Sequence, residues 1–157
     1  MPQQRYGSND ANLAQTSMVI DASVWVAALL RNDCHHEEST SLLHTLLQRN
    51  QQAAVPLLAW PEIAGAIARR TDNNELAGAA VAFLNKQAWL ESVPLDSSIA
   101  RRATTVAAEQ RLRGADAVYV VLALQRDGVL ITLDLEMLQR VPMAVTARTP
   151  GDWLNEA

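Results

Sequence analysis

Residues 18–30 read MVIDASVWVAALL, and how this stretch folds decides the architecture. Met18 to Ile20 is a short, wholly apolar run, as expected of a strand buried on both faces. One carboxylate, Asp21, ends it. The apolar residues Ala22, Val24, Trp25 and Val26 then continue as a helix to Leu30, with Ser23 placed where it can cap it. A buried strand that passes into a buried helix across a single acid is the opening half of a βαβ unit. Its acid projects from the carboxyl end of the strand.

The same alternation continues outward. Glu37 to Arg49 is a second helix carrying Leu42, Leu43, Leu46 and Leu47, and AAVPLL (53–58) is a short strand whose Pro56 marks an edge or a strand end. Pro61 opens a helix to about Arg70 from the N1 position. Asn74 to Gln87 is helical, WLESVPL (89–95) alternates as a strand, and Asp96 and Ser97 cap a helix through Arg111. Ala115 to Arg126 follows, closed by Gly128 as a C′ residue. VLIT (129–132), a short helix at Leu135 to Gln139 and the strand MAVTA (143–147) complete the pattern. Strands separated by helices predict a parallel sheet flanked by helices, and such sheets bind ligands beyond the carboxyl ends of their strands.

At 157 residues the chain has room for one domain and one core. Hydrophobic residues are 49% but aromatics only 4%, so Ala, Leu and Val carry the packing. Residues 1–17 lack apolar periodicity and read as a disordered leader or a misassigned start, leaving 18–157 as the single domain. The net charge of −4 excludes a basic nucleic-acid sleeve but permits a carboxylate metal site. Twelve Arg against a single Lys, Lys86, carry little weight in choosing a ligand. Cys34 has no disulfide partner, no apolar run approaches the roughly 20 residues of a membrane span, and the polar leader is no signal peptide; a cytoplasmic protein is expected.

Four acids stand at strand ends or helix starts: Asp21 after MVI, Glu62 in the first turn after AAVPLL, Asp116 in the first turn after RLRG, and Asp134 after VLITL. In a parallel sheet these addresses share one edge. For Glu62 and Asp116 taken singly, attraction to a helix N-terminus is explanation enough. Asp21 and Asp134 sit between apolar segments, where a carboxylate must be capped, paired or metal-bound. Converging carboxylates resist ionisation unless a cation joins them, and oxygen-only ligands select Mg²⁺ or Mn²⁺ over zinc. Such a cation can clamp a phosphodiester and activate water.

VIDASVWVA (19–27), PEIAGAI (61–67), LRGADAVYVVLAL (112–124), LITLDLEML (130–138) and a terminal TPGDWL (149–154), in that order, resemble the PIN-domain family, and within it the VapC-type toxin ribonucleases. The resemblance implies a three-layer α/β/α sandwich with a central parallel sheet and a Mg²⁺- or Mn²⁺-dependent endoribonuclease, the toxin of a type II toxin–antitoxin pair. It assigns Asp21, Glu62, Asp116 and Asp134 as the catalytic, metal-holding quartet. Ser23 matches the hydroxyl that supports the first acid, and Thr132 the hydroxyl near the fourth. It further implies RNA as substrate, a small antitoxin as partner and a homodimer.

Other residues read differently. Glu136 is a helix-start acid outside the quartet, and Cys34, His35 and His36 lack the spacing of a zinc site. His44 reads as partly buried among leucines, and Trp25, Trp60 and Trp89 as core. Arg69–Arg70 and Arg101–Arg102 read as solvated helix faces, whereas Arg111 and Arg113, just before Asp116, are the candidates for RNA phosphate contacts. No P-loop motif and no Ser–His–Asp arrangement is present. A receiver domain would need a late Lys, and a haloacid-dehalogenase-type phosphatase an Asp where Ser23 stands. The remaining alternative is a PIN-like module that binds a partner without catalysis.

Overall fold

The computed structural model describes residues 17–157; most of the leader therefore lies outside the described residues. The elements run β1 (Met18–Ile20), α1 (Ala22–Leu29), α2 (His36–Gln48), β2 (Ala53–Pro56), α3 (Ala59–Thr71), α4 (Asn74–Asn85), β3 (Leu90–Val93), α5 (Ser97–Gln110), α6 (Gly114–Gln125), β4 (Val129–Ile131), α7 (Leu135–Arg140), β5 (Thr146–Arg148) and α8 (Pro150–Glu156). The five strands are parallel, in the order β3-β2-β1-β4-β5. Helices α1 to α4 pack on one another, and α6, with α5 packed on it, lies against β1, β2 and β4, giving the expected α/β/α sandwich. Among the described residues no helix is long and apolar enough to cross a membrane.

The chain leaves β1 toward β2 and β3, then returns to the other side of β1 as β4 and β5. The order therefore reverses between β1 and β4, which opens a crevice above their carboxyl ends. Burial explains why these short strands hold. Val19, Ile20, Leu130 and Ile131 are fully buried, as are Trp25 of α1 and Tyr119 and Val120 of α6. Helix α6 is apolar on almost all sides because it lies between the sheet and α5, where Ile99, Ala103, Ala117, Val118 and Val121 form a second small core.

Local chemistry departs from the sequence reading at several joints. Asp21, not Ser23, is the N-cap of α1: its side chain accepts the Ser23 N–H, and Ser23 is already inside the helix. Pro56 ends β2, as one of its two readings had it, but the strand is internal and not an edge, and the next N–H, of Leu57, donates to Val93 O at 2.8 Å. Helix α3 starts two residues before Pro61; the proline is tolerated because first-turn N–H groups have no partner in the helix.

After α6 it is Asp127 that takes the left-handed conformation, with φ 47°, and Gly128 does not. Glycine is required at 128 for another reason. A Cβ there would lie 2.6 Å from the Ser17 carbonyl oxygen, where the chain enters β1. Ser17 is thus part of the fold, its carbonyl accepting the Val129 N–H at 2.9 Å. The last strand is Thr146–Arg148, later than MAVTA, and α8 follows it. Thr149 caps α8 by accepting the Asp152 N–H at 3.0 Å, with Pro150 opening the helix. His44 is exposed, not partly buried.

Candidate metal centre and cleft

Asp21, Glu62, Asp116 and Asp134 line one open cleft of about 680 Å³ at the carboxyl edge of the sheet. Asp21 follows β1 directly and Asp134 lies three residues beyond the end of β4, each capping the helix that follows, α1 and α7. Pairing of the two strands brings the acids to either side of the crevice, and the Asp21 N–H donates to Ile131 O at 2.9 Å. Glu62 enters from the first turn of α3, and Asp116 from the first turn of α6.

Each carboxylate is held differently. Asp21 is 6% exposed, and its Oδ2 accepts both the Ser23 hydroxyl at 2.5 Å and the Thr132 hydroxyl at 2.9 Å. Both hydroxyls also accept: Ser23 Oγ from the Leu133 N–H at 3.1 Å, and Thr132 Oγ1 from the Asp134 N–H at 3.0 Å. These bonds tie the ends of β1 and β4 together. They also leave Asp21 Oδ1 without a hydrogen bond among the described residues. Glu62 accepts the Tyr119 hydroxyl on Oε2 at 2.6 Å.

Arg113 bridges the other two acids, its Nε donating to Asp116 Oδ2 at 2.8 Å and its Nη2 to Asp134 Oδ2 at 2.5 Å. Asp134 Oδ1 meanwhile caps α7 through the Glu136 and Met137 N–H groups.

The site carries more negative charge than it neutralises. Burial raises the pKa of Asp21, and the charge of Asp116 raises it further, against the two supporting hydroxyls. Glu62 is raised by burial and by the charges of Asp21 and Asp116. Asp116 is raised by burial, although Arg113 counteracts this. The Tyr119 hydroxyl, buried beside Asp21 and Glu62, is pushed far above its ordinary value and stays a donor.

Oxygen ligands alone, partly desolvated and mutually repelling, suit a hard divalent cation such as Mg²⁺ or Mn²⁺. As the side chains lie, no three Asp, Glu, His or Cys residues among the described residues stand close enough to hold one ion, and Arg113 occupies an oxygen of two of them. The all-oxygen donor set fits such an ion in kind, and Arg113, 66% exposed, stands between two of its members.

Other residues from the sequence reading fall as follows. Glu136 pairs with Arg140 at 3.2 Å, away from the cleft lining. Arg111 closes α5 in the left-handed conformation and its carbonyl accepts from Arg140; it does not line the cleft. Cys34 is exposed, and His36 Nδ1 lies 3.0 Å from the Ala27 carbonyl oxygen, so neither joins the acids.

Two features escaped the sequence. Tyr119, a lone buried hydroxyl three residues after Asp116, signals a polar duty on that face of α6. Arg69 and Arg70 are exposed, as read, but the face they occupy lines the cleft.

A PIN domain family model matches residues 18–142. Comparison with curated proteins returns no match. Among solved structures, the fold is similar to Mycobacterium tuberculosis VapC20, described as a sarcin-ricin-loop-cleaving toxin, with TM-score 0.69 and 15% identity over 82% of this chain and 98% of that one. Rickettsia felis VapBC2, bound to a promoter DNA fragment, gives TM-score 0.66 and 13% identity over 85% and 98% of the two chains. FitAcB from Neisseria gonorrhoeae gives 0.65 and 15%, again over 85% and 98%. With the sheet order, the four acids on one edge and a family match that spans most of the chain, the conclusion is that the protein belongs to the PIN domain family.

Proposed function

We propose that the protein is a divalent-metal-dependent endoribonuclease acting as the toxin of a toxin–antitoxin pair. The observation that carries this reading is the convergence of Asp21, Glu62, Asp116 and Asp134, from four separate segments, on one cleft. Its solved neighbours support it: one is a toxin that cleaves the sarcin-ricin loop, and another is a VapBC toxin–antitoxin assembly. An antitoxin partner for this chain follows from the same likeness.

In this reading the four acids hold Mg²⁺ or Mn²⁺. When bound, the ion supplies charge neutralisation for a phosphodiester and acidifies water. The chain's own residues prepare the place. Ser23 and Thr132 fix Asp21 through Oδ2 and leave Oδ1 without a hydrogen bond among the described residues, while Tyr119 orients Glu62. Arg113 holds Asp116 and Asp134 together, and its exposed guanidinium would lie beside a phosphate held at the acids.

End-mapping of total bacterial RNA incubated with the protein and Mn²⁺ tests the reading, with D116N and EDTA controls. Discrete new ends absent from both controls are expected. A folded wild-type protein that generates none with either Mn²⁺ or Mg²⁺ overturns the enzymatic reading in favour of a partner-binding module.

A further inference from the structure

An acidic protein that holds a polyanion needs local positive charge beyond a metal. Four basic side chains line the cleft: His35, Arg69, Arg70 and Arg113. Three are committed. His35 Nδ1 lies 2.6 Å from Glu38 Oε1, Arg70 donates to Asp33 Oδ2 at 2.6 Å, and Arg113 bridges Asp116 and Asp134. Arg69 alone of the four has no hydrogen bond or ion pair among the described residues.

Its placement follows from α3, whose residues Glu62, Ala66 and Arg69 recur on the face that walls the cleft. Long helical side chains lean toward the N-terminus of their helix. Arg69 does so, lying back over Gly65, where a Cβ would stand 3.0 Å from its Nη1. The missing side chain at 65 therefore leaves a seat for the guanidinium one helical turn from Glu62.

We infer that Arg69, seated over Gly65, binds a backbone phosphate of the RNA next to the one at the carboxylate cluster. The inference rests on the ribonuclease reading. Charge and geometry both call for this contact. A strand with one phosphate at the acids, beside Arg113, continues along the cleft walls, and its next phosphate meets either carboxylates or the unpaired guanidinium of Arg69. Arginine is the side chain suited to that contact, because its planar fork can engage two phosphate oxygens at once.

The test is steady-state cleavage, with Mn²⁺, of a labelled oligoribonucleotide spanning a mapped cut site, over a range of salt concentrations. R69Q is expected to raise KM by roughly fivefold to tenfold, leave kcat unchanged and flatten the dependence of log(kcat/KM) on log[salt] by about 0.7. R69K keeps the charge and the salt slope, and R101Q, on the exposed face of α5, matches wild type. G65A, whose new Cβ pushes the guanidinium aside, is expected to melt higher, because alanine favours helix, yet show a raised KM.

A KM and salt slope in R69Q equal to those of wild type overturn the assignment while the nuclease reading stands. A wild-type protein that cuts no RNA overturns both.

Discussion

Replacing Thr132 by valine removes one hydroxyl and keeps the side chain's shape. Thr132 is fully buried and joins two strand ends, donating to Asp21 Oδ2 at 2.9 Å and accepting the Asp134 N–H at 3.0 Å. The first bond reaches a carboxylate that is itself 6% exposed, so its loss costs about 1.5–3 kcal/mol. Stranding the Asp134 N–H adds about 1 kcal/mol, and no longer burying a hydroxyl returns a similar amount. The net expectation is a loss of roughly 1.5–3 kcal/mol, or a fall of about 4–10 °C in melting temperature.

Asp21 would also lose half of its orientation, since Ser23 would be its remaining hydroxyl partner. Supporting bonds of this kind are worth about 10- to 100-fold in metal affinity. Scanning calorimetry in EDTA at pH 7.5 and titration calorimetry with Mn²⁺ read the two effects separately. T132S is the control: it keeps the hydroxyl, loses one methyl at about 1 kcal/mol, and should retain Mn²⁺ affinity. The reasoning fails if T132V melts and binds Mn²⁺ as wild type does, or if T132S loses as much affinity as T132V.

Two further outcomes follow from the same cluster. R113Q should bind Mn²⁺ more tightly by up to about fivefold, because the exposed bridge it removes is worth at most about 1 kcal/mol; titration calorimetry showing equal or weaker affinity would mean that Arg113 does not compete with the ion. Without metal, stability should fall as pH rises. Asp21, Glu62 and Asp116 have raised pKa values, so the folded state holds protons that the unfolded state releases; their contribution is full below the ordinary carboxylate range near pH 4 and is lost as pH climbs through the raised values. Thermal melts from pH 4 to 8 should show the decline, with Mn²⁺ reducing it; a metal-free profile that rises toward neutral pH would contradict the assigned burial of charge.

Much of the fold is legible because it depends on local patterns. An apolar strand, an acid and an apolar helix recur along the chain, and a parallel sheet is the arrangement that buries both. The joints are less legible. Gly128 carries the expected residue for a different reason, since closeness to the Ser17 carbonyl depends on two strands meeting. Helix α8 was not among the expected elements, although Thr149, Pro150 and Asp152 supply a cap, an N1 proline and a first-turn acid.

The sequence by itself determined the alternation, the chemical kind of each strand-end residue and hence that acids would gather on one edge of a sheet. Its repeated Arg-Arg pairs, at 69–70 and 101–102, look alike along the chain. Only the tertiary structure distinguishes them: α3 begins at the carboxyl edge and forms a wall of the cleft, whereas the α5 pair is exposed away from it. The bridge from Arg113 to Asp116 and Asp134, and the bond from Tyr119 to Glu62, belong to the same category. Strand and helix preferences act over neighbouring residues, whereas these contacts join side chains whose approach is set by how β1 pairs with β4 and how α6 crosses the sheet.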